Sequence, residues 1–171
     1  MTGWRETNIG QLAELVTKGT TPSSDDGGFA ESGINYIKSD AVGYDGKVDR
    51  SKFVYISEAV HEKYKRSQLK AADILFSMAG AFLGKTGLVC ENILPANTNQ
   101  ALAIIRLNKL KASPKFVQYF FRQPTVIDFV NNMSGQSAQP NINFQEIRSI
   151  EIELPPLPEQ KTIAAVLSSL D

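Results

Sequence analysis

At Ser113-Pro114 the hydrophobic period of this 171-residue chain changes from one typical of strands to one typical of helices. Upstream, short apolar runs are divided by turn residues. Ile34 to Lys38, Phe53-Val-Tyr-Ile56, Asp73-Ile-Leu-Phe-Ser77, Thr86 to Val89 and Gln100 to Leu107 each predict a strand. Tyr44-Asp-Gly-Lys47 carries the Asp-Gly pair of a tight turn, and Ser57 is placed to cap a short helix bearing Val60 and Tyr64. Trp4 to Val16 fits a short helix or a helix-to-strand transition, stopped by Lys18-Gly-Thr-Thr-Pro22. Downstream, Pro114 suits a first helical turn, and Phe116, Val117, Phe120 and Phe121 recur at helical spacing. Pro124 restarts the pattern with Val126, Ile127 and Val130, and Gly135 ends it. Asn143 and Glu146 have capping-box spacing, and Ile150, Ile152 and Leu154 alternate with Glu151 and Glu153 as a half-exposed strand. After Pro155-Pro-Leu-Pro158, Glu159 opens a helix with Ile163, Val166, Leu167 and Leu170 on one stripe. The pattern predicts an α/β chain of the α+β kind. It has a mixed, mostly antiparallel sheet, short helices and a protruding C-terminal helix, with one domain over residues 1–157 and the helix beginning over 158–171.

Composition narrows the function. Hydrophobic residues at 42% and charged residues at 21% fit a globular chain, which argues against disorder. The longest uncharged apolar stretch, Ile74 to Gly84, is too short to span a bilayer, and no secretory signal opens the chain, so a cytoplasmic protein without membrane contact is expected. Cys90 and His61 are each alone, which leaves no metal-ligand spacing; Cys90 reads as core and His61 as solvent-exposed. Lys plus Arg and Asp plus Glu both total 18, but residues 63–122 hold 10 basic and 2 acidic side chains, a local balance of +8. If Lys63, Lys65, Arg66, Lys70, Lys85, Arg106, Lys109, Lys111, Lys115 and Arg122 share a face, they can attract phosphates; otherwise they are ordinary solvated surface.

Ala79-Gly-Ala-Phe-Leu-Gly84-Lys85-Thr86 imitates a nucleotide-binding loop, yet such a loop needs a following helix and Thr86-Gly-Leu-Val favours a strand. A loop between strands, with Lys85 available to a DNA phosphate, is the better reading. No nucleophile elbow or dinucleotide loop is present, so independent catalysis is not expected. The polar loops Lys18 to Thr21, Ser39 with Asp40, Asn97 to Gln100 and Ser134 to Asn141 concentrate short donors and acceptors. Such groups suit base edges, although they also satisfy ordinary turns. Candidate DNA contacts are therefore Lys18, Thr20, Thr21, Ser39, Asp40, Lys85, Asn99, Gln100, Arg106, Gln136, Gln139 and Asn141. Lys85 and Arg106 are expected on phosphates, and Gln100, Gln136, Gln139 and Asn141 on bases.

Taken in order, several segments resemble a target recognition domain from the DNA specificity subunit of a type I restriction-modification system. They are Trp4 with Gly10-Gln-Leu, Lys18-Gly-Thr-Thr-Pro, Ile34-Asn-Tyr-Ile-Lys-Ser-Asp, Ala72-Asp-Ile-Leu-Phe-Ser, Gly80-Ala-Phe-Leu-Gly-Lys, Asn99-Gln-Ala and Leu154-Pro-Pro-Leu-Pro-Glu-Gln. The last segment resembles the junction where such a domain enters its long helix. The resemblance implies a non-catalytic module that reads one part of a bipartite double-stranded DNA target and guides modification and restriction subunits. S-adenosylmethionine, magnesium and ATP then belong to those partners, and this chain holds no cofactor and no metal. A full subunit of this family has two recognition domains, so a second domain or a second copy is implied, met through Ile163, Val166, Leu167 and Leu170. The alternatives are the recognition domain of a single-chain methyltransferase, or a protein-interaction domain that does not read DNA.

Overall fold

The computed structural model describes residues 3–135 and 138–171. Its centre is a four-stranded antiparallel sheet in the order β2 (Ala13–Lys18), β8 (Leu102–Leu107), β5 (Ile74–Ser77), β6 (Thr86–Leu88). β5 and β8 are apolar almost throughout because both faces of the sheet are covered. Ile74, Phe76, Ala103 and Ile105 face a helical layer of α1 (Ile9–Leu12), α3 (Pro114–Phe121), α4 (Pro124–Met133) and α5 (Phe144–Ser149). Leu75, Leu102 and Ile104 face the other way, onto Ile37, Ala41, Val42 and Ala96. That second layer contains a three-stranded sheet, β4 (Val54–Ile56), β3 (Ile34–Ile37), β7 (Ala96–Thr98), in which β3 and β4 are antiparallel and β3 and β7 parallel. A two-stranded antiparallel pair, β1 (Arg5–Asn8) with β9 (Glu151–Leu154), ties the N-terminus to the start of α6 (Leu157–Leu170).

The predicted caps form. Ser57 Oγ accepts from Val60 N at the start of α2 (Glu58–Lys63), Ser113 Oγ accepts from Phe116 N, and Asn143 and Glu146 complete a capping box. The strands expected near 34, 53, 74, 87, 102 and 151 are present, distributed over three small sheets; α1 running into β2 is the helix-to-strand transition expected before Val16, and β1 and β7 are additional. The helix expected from Glu159 begins at Leu157 and is anchored before it reaches solvent. Gln160 and Ala164 are buried, Ile163 packs on the core, and α6 runs parallel to α3, with Tyr119 Oη donating to an Asp171 carboxylate oxygen (2.6 Å) and accepting from Ser168 Oγ (3.0 Å). What emerges from the body is its outer face, where Val166 and Leu170 stand exposed. Two single residues depart from expectation. Cys90 is exposed rather than core. His61 is half-buried, with its Nδ1 against Asn97 Oδ1.

Candidate nucleic-acid interface

The antiparallel order of the central sheet brings three loops to one end of it, where β2 finishes, β8 begins and β5 turns into β6, and residues 138–142 dock onto the last of these. Main-chain hydrogen bonds join them in series. Gly19 N donates to Leu102 O, Thr20 N to Thr98 O, Met78 N to Ala101 O, Ile142 N to Met78 O and Gly80 N to Pro140 O. The parallel pairing of β3 with β7 delivers a fifth segment, because Ile37 sits opposite Thr98 and the chain leaves β3 directly into Ser39 and Asp40. The result is a continuous polar rim made of residues 18–21, 39–45, 78–85, 98–101 and 138–142.

Gly19 is required by this junction: a Cβ there would lie 1.9 Å from Thr98 O. Thr20 is fixed from two sides, since Tyr36 Oη donates to its carbonyl (2.9 Å) and Arg66 Nη2 donates to its hydroxyl (3.2 Å). Burial pushes the Tyr36 phenol up to about 12, so it remains a neutral donor at any ordinary pH. Thr21 Oγ1 donates to the Gln100 side-chain carbonyl, which leaves the Gln100 amide nitrogen free of that bond. Lys18, Gln100, Gln139 and Asn141 are exposed, and Asn141 bridges to Ala79 through the backbone. Ser39 and Asp40 form a half-buried single turn. Asp40 Oδ1 and Asn99 Oδ1 are buried and find no hydrogen-bond partner among the described residues, which leaves both able to accept.

Lys85 stands in the loop between β5 and β6. The strand β6 starts at Thr86, so the nucleotide-loop geometry excluded from sequence is absent here in fact. Its Nζ lies 4.5 Å from the Phe82 ring centroid and 4.8 Å from that of Tyr44.

Of the twelve expected contacts, Lys18, Thr20, Thr21, Ser39, Asp40, Lys85, Asn99, Gln100, Gln139 and Asn141 are brought to this rim, and Gln136 lies outside the described residues. Arg106 is corrected. It lies at the opposite end of β8, across from Leu15, and its Nε and Nη2 each reach a carboxylate oxygen of the fully buried Asp73 at 2.7 Å. A guanidinium committed to a buried carboxylate holds the fold together and is not offered to a phosphate. The ten-residue basic face is likewise dispersed. Lys63 pairs with Asp26, Lys111 Nζ donates to Gln11 O at the far end, and Arg122 pairs with Asp171. Of that set, Lys85 lies in a rim loop and Arg66 reaches one through Thr20, joined there by Lys18. Two residues that sequence reasoning passed over complete the site: Tyr44, for which an aromatic beside a tight turn was the only signal, and Gly19, within the quoted Lys18-Gly-Thr-Thr motif.

A polar, partly basic loop rim on an α+β body has the chemistry that nucleic acid can meet, and comparison with known proteins gives its family. Over residues 1–171 the chain matches the type I restriction modification DNA specificity domain, and it belongs to that family. It is 28% identical over 173 residues to the type I restriction enzyme EcoBI specificity subunit of Escherichia coli, covering 98% of this chain and 35% of that protein. To the MjaVIII specificity subunit of Methanocaldococcus jannaschii it is 27% identical over 146 residues, 84% of this chain and 34% of that protein. The crystal structure of the HsdS subunit from Thermoanaerobacter tengcongensis shares the fold with a TM-score of 0.73 at 21% identity, over 99% of this chain and 42% of that one. The S subunit from M. genitalium aligns with a TM-score of 0.67 at 16% identity, over 97% and 38%. The chain thus spans well under half the length of the relatives it matches.

Proposed function

We propose that this domain reads one part of a bipartite double-stranded DNA target, with the loop rim as the reading surface. The observation that carries this is the convergence of five polar loops, bearing Lys18 and Lys85 and met at Thr20 by Arg66, on one end of a rigid sheet. Lysine and arginine engage phosphates without regard to sequence, whereas amides at Gln100, Gln139 and Asn141 suit adenine N6 and N7. In this reading the domain is non-catalytic and cytoplasmic. It addresses a DNA site on behalf of a modification subunit and a restriction subunit, which carry S-adenosylmethionine, magnesium and ATP. The outer face of α6 joins it to a second recognition domain or a second copy.

Fluorescence anisotropy with a labelled random-sequence duplex tests this. Log affinity should fall against log salt with a slope of about 0.9 per phosphate neutralised. Lys18→Ala should weaken all duplexes together, while Gln100→Ala should change the preference among sequences selected from a random pool. Absence of binding at low salt, or affinity indifferent to salt, would instead favour the protein-interaction alternative.

A further inference from the structure

The geometry points to a preformed phosphodiester subsite in which the rings of Tyr44 and Phe82 hold the Lys85 ammonium at the DNA-facing rim; this rests on the DNA-reading function above. Three other cations are held by carboxylates, Lys63 by Asp26, Arg106 by Asp73 and Arg122 by Asp171, while Lys115, on α3, lies 5.0 Å from the single ring of Tyr119. A carboxylate fixes a cation and neutralises it at the same time. Lys85 forms no such ion pair among the described residues, and its Nζ lies 4.8 Å from Tyr44 and 4.5 Å from Phe82. A ring face restricts an ammonium through its quadrupole and leaves the full positive charge available to an anion.

The two rings are themselves held. Tyr44 is half exposed, yet its turn is pinned on both sides: Gly43 bridges to Thr86, the residue after Lys85, and the buried Gln118 amide donates to Gly46 O. Phe82 closes the single turn Gly80–Phe82, whose Gly80 N donates to Pro140 O. The ammonium is therefore placed between its own loop and the Tyr44 turn, about forty residues away in sequence, next to the loop carrying Gln139 and Asn141. A lysine free to sample its rotamers loses that freedom when it meets a phosphate, whereas one already confined loses less. Tyr44 and Phe82 act through Lys85 and are positioning residues.

Affinity and salt slope separate the two roles. Lys85→Ala should lower affinity for a random-sequence duplex and reduce the salt slope by about 0.9, the loss of one phosphate contact. Tyr44→Leu should lower affinity about two- to fivefold with the slope unchanged, because the cation is still present but no longer held. Tyr44→Phe should restore wild-type affinity, and Tyr44→Leu should have no further effect in a Lys85→Ala background. Circular dichroism and a thermal melt of each variant establish that it is folded. A Tyr44→Leu loss that persists without Lys85 would mean that the ring touches DNA itself, and an unchanged affinity would mean that it does nothing; either result overturns the subsite. Failure of the wild-type chain to bind the duplex at low salt would overturn the DNA-reading function instead.

Discussion

Two side chains from one sequence cluster show how burial assigns a cation its role. Arg106 and Lys85 were indistinguishable by charge, but Arg106 alternates on β8 so that its guanidinium meets Asp73, which is fully buried and also accepts from Lys70 N at 2.7 Å. Removing one member of a buried ion pair strands the other, so Asp73→Ala should cost about 3–5 kcal/mol of folding stability in urea denaturation. Arg106→Ala should lower stability too, while leaving the salt slope of DNA binding as it was. A loss of slope in a variant that remains folded would return Arg106 to the interface. Residue types made the rim partly legible in sequence, since Lys18, Lys85, Gln100 and Asn141 were chosen for their donors and acceptors. The aromatic support of Lys85 is only half legible, because Phe82 is its near neighbour in sequence whereas Tyr44 meets it only after the fold brings residues about 40 positions apart together. Gly19 carries a similar lesson: its need for a missing Cβ arises from the Thr98 backbone and not from its own turn. Gly19→Ala should displace the Lys18–Thr21 loop and lower both melting temperature and DNA affinity, measured on the same preparation.

Elements were readable where their reasons are local. Ser57, Ser113 and Asn143 cap helices with their own hydroxyls or amides, and Asp73 to Ser77 is apolar enough to declare a strand. β7 was missed because Asn97 and Thr98 are polar, although both are buried. Their burial is compensated by bonds to Ser67 Oγ, Tyr64 O and Ile37 O that no nearby residue announces. β1 was missed because it is short and exposed and exists through its pairing with β9. Helix α6 shows both cases. Its stripe was visible, but the polar Gln160, one turn before Ile163 and Ala164, is the anchor. Its side-chain carbonyl accepts from Ser113 N and its amide donates to Pro155 O, each at 2.8 Å, in a site that is 1% exposed. Gln160→Ala leaves those two backbone groups without partners, so a loss of about 2–4 kcal/mol is expected, with faster amide exchange along 160–170. At the other end of the helix, the Arg122 guanidinium, followed by the Tyr119 hydroxyl, holds the Asp171 carboxyl down to about 2. A carboxyl depressed by folding contributes its attachment fully above its ordinary range, about 3.9, and loses it as pH falls toward 2. Amide shifts of residues 168–171 should therefore titrate with a midpoint near the lower figure; a midpoint at the ordinary carboxylate value would show the clamp open in solution.

At the scale of the molecule, the helical layer and the loop rim are linked by α3. It begins at Ser113, beside Gln160 at the far end of the sheet, and runs to Arg122, beside Asp171, with Gln118 gripping the Tyr44–Gly46 turn. Because α6 lies parallel to it, the direction of α6 is fixed relative to the loop rim. That rigidity makes the division of its surface consequential. Ile163 and Ala164 complete the domain's own core, so the expected partner stripe is narrower than Ile163, Val166, Leu167 and Leu170 taken together. Leu167 and Leu170 line an open groove of about 820 Å³ with Phe116, Phe120 and Trp4; Leu170 is nevertheless 79% exposed, and Val166, outside the groove, 56%. Exposed apolar residues contribute little to the folded domain alone, so Val166→Ser with Leu170→Ser should change its stability by less than about 1 kcal/mol. In a protein holding two recognition domains the same pair of substitutions should weaken affinity for the complete bipartite target much more than affinity for either half. Two linked readers gain from effective concentration only when the helices between them hold their spacing. Titrating half-site and full-site duplexes with matched variants decides it. Equal losses on both would place these residues in DNA contact, and a large fall in stability would mean that the whole stripe, not its first half, belongs to this domain's core.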